Sequence, residues 1–261
     1  MSEATENSGG GAADHVALVT GAARGLGAAI AARLAAAGHP VVLADVLDGV
    51  EDTAARLRDA GGEARAIRLD VADAAAVAAL PETLGAWWER LAILVNNAGV
   101  SPKVDGRKRP VEEIPLEEWN RVLAVNLTGP FLLSQRCIPV MRARGWGRIV
   151  MMTSQAAHVP SSITGAYYGA SKAGLMGFAR NLAAELGRDG ITVNSVAPGR
   201  IMSDMVAGAA PGMNEAFLAR IPLGRLGEPA EVAEVVAFLA SDAAAYLTGT
   251  TIDVGGGSYM P

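Results

Sequence analysis

The chain is poor in several features, and each lack excludes something. A single cysteine, Cys137, in 261 residues rules out an internal disulfide and fits a reducing compartment. It lies in an apolar helical stretch, the usual setting of a small buried hydrophobe. There is no run of 18 apolar residues, so no segment is expected to span a membrane. Positive charge is also short: 22 Lys and Arg against 27 Asp and Glu leave a net charge of -5. That balance gives no basis for nucleic-acid binding or for a polybasic membrane surface. Internal repeats and dividing linkers are absent. Residues 1–13 are acidic, polar and glycine-rich, without the basic start and apolar core of a secretory signal. They are expected to form a disordered tail ahead of one catalytic domain over 14–261. The expectation is a cytoplasmic protein.

What the chain does have is core: hydrophobic residues make up 51% and charged residues 19%. Short apolar runs alternate with helical stretches along its length. Val16 to Val19, Val41 to Asp45, Ala64 to Leu69, Leu91 to Val95, Arg148 to Met152, Ile191 to Val196 and Thr250 to Val254 read as strands. Between them lie helices, including one predicted over about Ala74 to Arg90, a long one between Leu116 and Arg144, and one over about Ala230 to Ala240. Apolar strands alternating with helices imply βαβ crossovers, hence an α/β fold with a doubly wound parallel sheet covered on both faces.

Gly21, Gly25 and Gly27 fall between the first strand and first helix. Missing side chains there let the backbone approach a pyrophosphate, and a helix N-terminus supplies amide donors and the positive end of a dipole. The spacing is G-x3-G-x-G, not the commoner G-x-G-x-x-G. Arg24 and Leu26 belong to the same turn. Asp45 closes the second strand some twenty residues on, where a carboxylate accepts both ribose hydroxyls of an adenosine and repels a 2′-phosphate. NAD is therefore expected over NADP. Arg24 points the other way, since a cation in the turn could hold a 2′-phosphate, but Asp45 combines repulsion with hydrogen bonding at the discriminating atom. Asp70 and Val71 end the third strand where the adenine would lie; a strand-end carboxylate equally serves as a helix cap.

Tyr168 and Lys172 are four residues apart, on one face of a helix. An ammonium ~4 Å from the phenol, at an effective dielectric of ~20, favours the phenolate by roughly 4 kcal/mol, or up to about three pK units. A hydroxyl such as Ser154, just upstream, could hold the substrate oxygen against that phenol. Tyr167 is five residues from Lys172 and points off its face, so helical geometry selects Tyr168.

With these pieces in order, the chain resembles the short-chain dehydrogenase/reductase family over nearly all of 14–261. The matching motifs are Thr20-Gly21-x3-Gly25-x-Gly27, Asn96-Asn97-Ala98-Gly99, Asn126, Ser154, Tyr168-x3-Lys172 and Pro198-Gly199. The resemblance implies a three-layer Rossmann-like sheet of about seven strands, a nicotinamide cofactor and no metal. It also implies a homotetramer or homodimer packed through the helices that begin near Leu116 and Gly165. It makes Tyr168 the general acid/base, Lys172 the group that lowers its pKa and holds the nicotinamide ribose, and Ser154 the group that orients the substrate. Asn126 is then the residue whose backbone carbonyl fixes a water in a proton relay behind Lys172. Asn96 falls near the adenine-side ribose, and Asn97, Ala98 and Gly99 form a turn on the cofactor side. Beyond Pro198 and Gly199, Ile201 would meet the nicotinamide amide, and Ser203 stands where the family usually has Thr. Gly255 stands where the family usually carries Asn or Asp.

Two stretches bear on the substrate. The segment Val100 to Pro115 carries Lys103, Arg107, Lys108 and Arg109, which with Arg200 could attract an anionic substrate group; charge runs are also commonly just solvated. Residues 201–223 are expected to form a lid, in which Met202, Met205, Val206, Met213, Phe217 and Leu218 suggest an apolar pocket. The leading expectation is an NAD-dependent oxidoreductase interconverting a secondary alcohol and a ketone. A 3-oxoacyl-thioester reductase using NADPH is the enzymatic competitor, against which Asp45 counts. A non-catalytic redox sensor is a third reading, and it has no need of Ser154, Tyr168 and Lys172.

Overall fold

A computed structural model describes residues 11–202 and 218–261. Seven strands form one sheet: β1 (Val16–Thr20), β2 (Val41–Asp45), β3 (Ala64–Arg68), β4 (Leu91–Asn96), β5 (Gly147–Met152), β6 (Ile191–Pro198) and β7 (Thr251–Val254). Their order across the sheet is β3-β2-β1-β4-β5-β6-β7, and every pairing is parallel. The order reverses between β1 and β4, so the ends of these two strands part and leave a crevice at their carboxyl edge, where ligands of open α/β sheets bind.

The strands are apolar throughout because both faces are covered. Leu18, Leu94 and Ile149 point to one side, against Leu133, Cys137 and Leu175. Val19, Val95 and Val150 point to the other, against Ile30, Leu34, Val232 and Val236. The first layer is built by α7 (Gly129–Arg144) and α8 (Ala166–Leu186). The second is built by α1 (Gly25–Ala36) and α9 (Pro229–Leu239). Helix α9 starts on a capping box, in which the Glu228 and Glu231 side chains each accept from the other's backbone, with Pro229 at its first position. Helix α2 (Val50–Asp59) covers the β2–β3 edge.

Two segments depart from their expected form. The single helix expected over Ala74 to Arg90 is three short ones: α3 (Ala74–Ala78), α4 (Leu80–Leu84) and α5 (Ala86–Glu89). Pro81 cannot donate to the helix before it, and Gly85 at φ +54° breaks the next one. The long helix from α6 (Leu116–Leu123) into α7 is interrupted by a π-helical turn, Ala124–Thr128. Residues 12–14, partly assigned to the tail, form a 3-10 turn, and the Ala12 carbonyl lies 3.0 Å from His39 Nδ1. Residues 1–10 lie outside the described part.

Candidate active site

The glycine turn is built against the end of β4. The carboxamide of Asn97 donates to the carbonyls of Thr20 (2.8 Å) and Gly21 (3.1 Å), while Thr20 Oγ1 accepts from the amides of Asn97 and Ala98. Gly27 has to lack a side chain: a Cβ there would lie 2.1 Å from the Gly21 carbonyl oxygen and 2.6 Å from Asn97 Nδ2. Gly25, at φ +57°, needs glycine for its backbone and faces open space. Arg24 and Gly25 are exposed at the start of α1, while Leu26 is half-buried. A turn whose backbone is uncovered at a helix start, with a bare glycine facing outward, is a cradle that fits a pyrophosphate.

Asp45 is 8% exposed. One carboxylate oxygen accepts from the amide of Ala23 (2.9 Å) and the other from that of Leu47 (3.1 Å). These bonds fix the carboxylate beside the glycine turn and leave further lone pairs for a ligand. Asp70 is less committed to a ligand. It accepts from the Ala72 amide at 2.9 Å and pairs with Arg121 at 3.2 Å. Asp73, not Asp70, caps the following helix, accepting from Ala75 and Ala76. Val71 is buried against Gly129, where a Cβ would lie 2.9 Å from it. Asn96, expected near a ribose, is 1% exposed and donates to the Met151 sulfur. The side chain that reaches the crevice is that of Asn97.

A cleft of about 420 Å³ opens beyond the ends of β4, β5 and β6. Ser154, Tyr168 and Lys172 line it, together with Leu26, Asn97, Gly99, Pro198, Gly199 and Ile201. Ser154 caps a short 3-10 turn, Gln155–Ala157, its hydroxyl accepting from the Ala156 amide. Tyr168 and Lys172 project from the first turns of α8. Tyr167 instead is fully buried, its hydroxyl donating to the Pro102 carbonyl at 3.0 Å. Ile201 pairs with Gly227 in a bridge continued by the Met202 amide to the Gly227 carbonyl at 2.7 Å.

The electrostatics differ from the helical-spacing argument. Lys172 Nζ stands 5.7 Å from the centre of the Tyr168 ring and donates to the Met152 carbonyl at 2.7 Å. Burial of this ammonium lowers its pKa to about 8. Burial likewise raises the Tyr168 phenol above its ordinary value, opposed by a hydrogen bond with Ser154. In this structure the burial of each group, and not attraction between them, sets the direction of both shifts.

Asn126 sits in the π turn. Its side-chain oxygen accepts from the Val100 amide (2.8 Å), and its nitrogen donates to the Val100 carbonyl (3.0 Å) and to Ser171 Oγ (3.1 Å). Ser171 Oγ donates in turn to the Tyr168 carbonyl. One side chain thus joins the segment after Gly99 to the turn of α8 that carries both Tyr168 and Lys172. A Cβ on Gly99 would be 3.4 Å from Lys172 Nζ and 3.5 Å from Asn126 Oδ1.

Of the five cations expected to attract an anion, Lys103 and Arg200 line the cleft. Lys108 instead donates to the Ser161 carbonyl, Arg109 pairs with Glu118 at 3.3 Å, and Arg107 sits in a bridge with Val104. Arg220, which the charge pattern did not single out, lines the cleft. Gln155 was also missed. It accepts from Ser258 Oγ at 2.8 Å and fills the space beside Gly199 and Gly255. Within the expected lid, Met202, Leu218 and Ile221 form a small apolar cluster with Leu226, which follows it. Ser203, Met205, Val206, Met213 and Phe217 lie outside the described residues.

A family model described as enoyl-(acyl carrier protein) reductase matches residues 21–259. The cis-4-hydroxycyclohexanecarboxylate dehydrogenase of Sinomonas cyclohexanicum is 42% identical over 245 residues, 94% of this chain and 96% of that one. The 3-oxoacyl-[acyl-carrier-protein] reductase of Escherichia coli K12 is 41% identical over 246 residues, 94% of this chain and 97% of that one. A crystal structure of a 3-oxoacyl-[acyl-carrier protein] reductase with bound NAD from Brucella melitensis superposes with a TM-score of 0.87 at 39% identity, covering all of this chain and 98% of that one.

Proposed function

Since the chain belongs to the short-chain dehydrogenase/reductase family of oxidoreductases, we propose that it interconverts a secondary alcohol and a ketone with NAD. The observation that carries this reading is the convergence of Ser154, Tyr168 and Lys172 on one cleft with Pro198, Gly199 and Ile201. When bound, the dinucleotide takes or supplies the hydride. Gly21, Arg24, Gly25, Leu26 and Gly27 would hold its pyrophosphate, Asp45 its adenosine ribose, and Asn97, Ala98, Gly99, Pro198, Gly199 and Ile201 its nicotinamide half. Asp70, engaged with Arg121, and buried Val71 would shape the adenine end.

The proton chemistry belongs to the chain. In oxidation, Ser154 Oγ and Tyr168 Oη hold the substrate oxygen, and Tyr168 as phenolate accepts the hydroxyl proton as the carbonyl forms. In reduction, the Tyr168 phenol donates that proton to the carbonyl oxygen. Lys172, on the same wall, supplies positive charge to the phenolate once formed. Asn126 fixes the position of both by tying Val100 to Ser171.

The competing reading is a 3-oxoacyl-thioester reductase using NADPH; relatives named for that activity favour the substrate, and one of them carries bound NAD. Against it stands Asp45, whose anchored carboxylate would face a 2′-phosphate. A homotetramer or homodimer through α6, α7 and α8 is supported by the exposed Leu116 and by the edge-on pair of Phe131 and Phe178 on their outer face. A screen of NAD(H) against NADP(H) over alcohols, ketones and acyl thioesters tests the activity. Turnover of acyl thioesters alone, with NADPH, would replace this proposal by its competitor.

A further inference from the structure

The whole chain is acidic, with 27 Asp and Glu against 22 Lys and Arg, yet the described wall of the cleft contains no carboxylate. It contains Lys103, Arg200 and Arg220 besides Lys172. Clefts lined by one sign of charge against low-dielectric walls focus the field and concentrate counter-ions. Two of these cations are also uncommitted. Lys103 and Arg220 make no ion pair or hydrogen bond among the described residues, whereas nearby cations outside the wall do: Lys108 with Ser161, Arg109 with Glu118, and Arg225 with Glu231. Two hydroxyls on the same wall, Ser101 Oγ and Thr164 Oγ1, are buried without a hydrogen-bond partner among the described residues. Buried donors of this kind call for a ligand or water to complete them.

Resting on the oxidoreductase reading above, we infer that the substrate is a small secondary alcohol or ketone bearing a carboxylate away from the reacting carbon, and that Lys103 and Arg220 hold that carboxylate. A carboxylate is acceptor-only and matches a wall made of ammonium, guanidinium and hydroxyl donors.

The test compares hydroxy acids with their own methyl esters, which keep the reacting carbon and remove only the charge. The kcat/KM values for 4-hydroxycyclohexanecarboxylate and 3-hydroxybutyrate, each against its ester, should favour the acid by roughly 10- to 100-fold, the range of a charge-assisted contact. In the double variant Lys103→Ala, Arg220→Ala that ratio should fall to about 1. Equal turnover of acid and ester by the parent, or an unchanged ratio in the double variant, overturns the inference and leaves the oxidoreductase reading standing. A double variant that binds NADH less well by fluorescence titration while keeping the acid preference would assign these cations to the dinucleotide, and also overturns it. Failure to turn over any alcohol or ketone with either dinucleotide would remove both readings.

Discussion

Lys172 donates to the carbonyl of Met152 across 2.7 Å, which ties the α8 ammonium to the last residue of β5, two positions before Ser154. The bond fixes the lysine within the cleft wall and sets the distance at which it acts on Tyr168.

Tyr168→Phe removes the proton-transferring hydroxyl and little else. Its kcat should fall by ~10²–10⁴-fold, the range for general acid/base work, while NADH binding followed by fluorescence remains. Tyr167→Phe should cost far less activity, because that hydroxyl serves the Pro102 carbonyl.

Burial raises the Tyr168 phenol above its ordinary value, so the phenolate is scarce at neutral pH. Alcohol oxidation should therefore rise with pH from about 7 and flatten as Lys172 loses its charge near 8, with ketone reduction favoured at the lower end, since free tyrosine titrates near 10. Steady-state kcat/KM profiles in both directions check this.

Lys172 has a pKa lowered from 10.5 to about 8 by burial. Between those values the unfolded chain binds the extra proton, so this group's contribution makes stability increase with pH through that window and leaves its full penalty below about 8. Lys172→Met should abolish activity yet raise the unfolding free energy at pH 7 by roughly 1–3 kcal/mol. Denaturation at pH 7 and pH 9.5 should show that advantage shrinking at the higher pH.

Asp45→Asn removes the charge that opposes a 2′-phosphate while keeping an oxygen for one of the backbone amides. The kcat/KM ratio of NAD to NADP should drop by about ten-fold or more, as expected when a like charge is removed from a buried contact. An unchanged ratio would mean that Asp45 serves only Ala23 and Leu47.

Gln155 fills the space a side chain at 255 would take: a Cβ on Gly255 would lie 2.0 Å from Gln155 Nε2, the far end of a flexible side chain. Gly255→Asn should displace the Gln155 carboxamide from Ser258 and destabilise the fold by about 1 kcal/mol. Gln155→Ala should recover much of that loss, measured as a double-mutant cycle in urea.

Gly255, which stands where the family usually carries Asn or Asp, leaves a space that Gln155 fills. Gln155 comes from another part of the chain, and no local pattern links the two. By contrast, the seven strands and their helices were legible because burial on both faces leaves a nearly unbroken apolar code. The Tyr168 and Lys172 spacing was legible because helical period is local. The sign of the Tyr168 shift was not, since charge spacing along a helix says nothing about how dry the surrounding wall is. Asp73 displaced Asp70 as the helix cap because the turn runs three residues further than the strand-end pattern suggests. The three-way break of the expected helix at 74–90 was written in Pro81 and Gly85, which the alanine-rich composition around them obscured.

The π turn at Ala124–Thr128 holds one more residue than an α-helical turn would. Deleting a residue there would let α6 and α7 run on as one regular helix, with better backbone hydrogen bonding. It would also swing the helix face by about 100° per residue, carrying Asn126 away from Val100 or α7 away from the sheet. The usual rule for insertions and deletions is therefore inverted in this chain. The exposed segment near Val104 and Arg107 can change length at little cost to the fold, whereas the helical run from α6 into α7 has a length that cannot be edited.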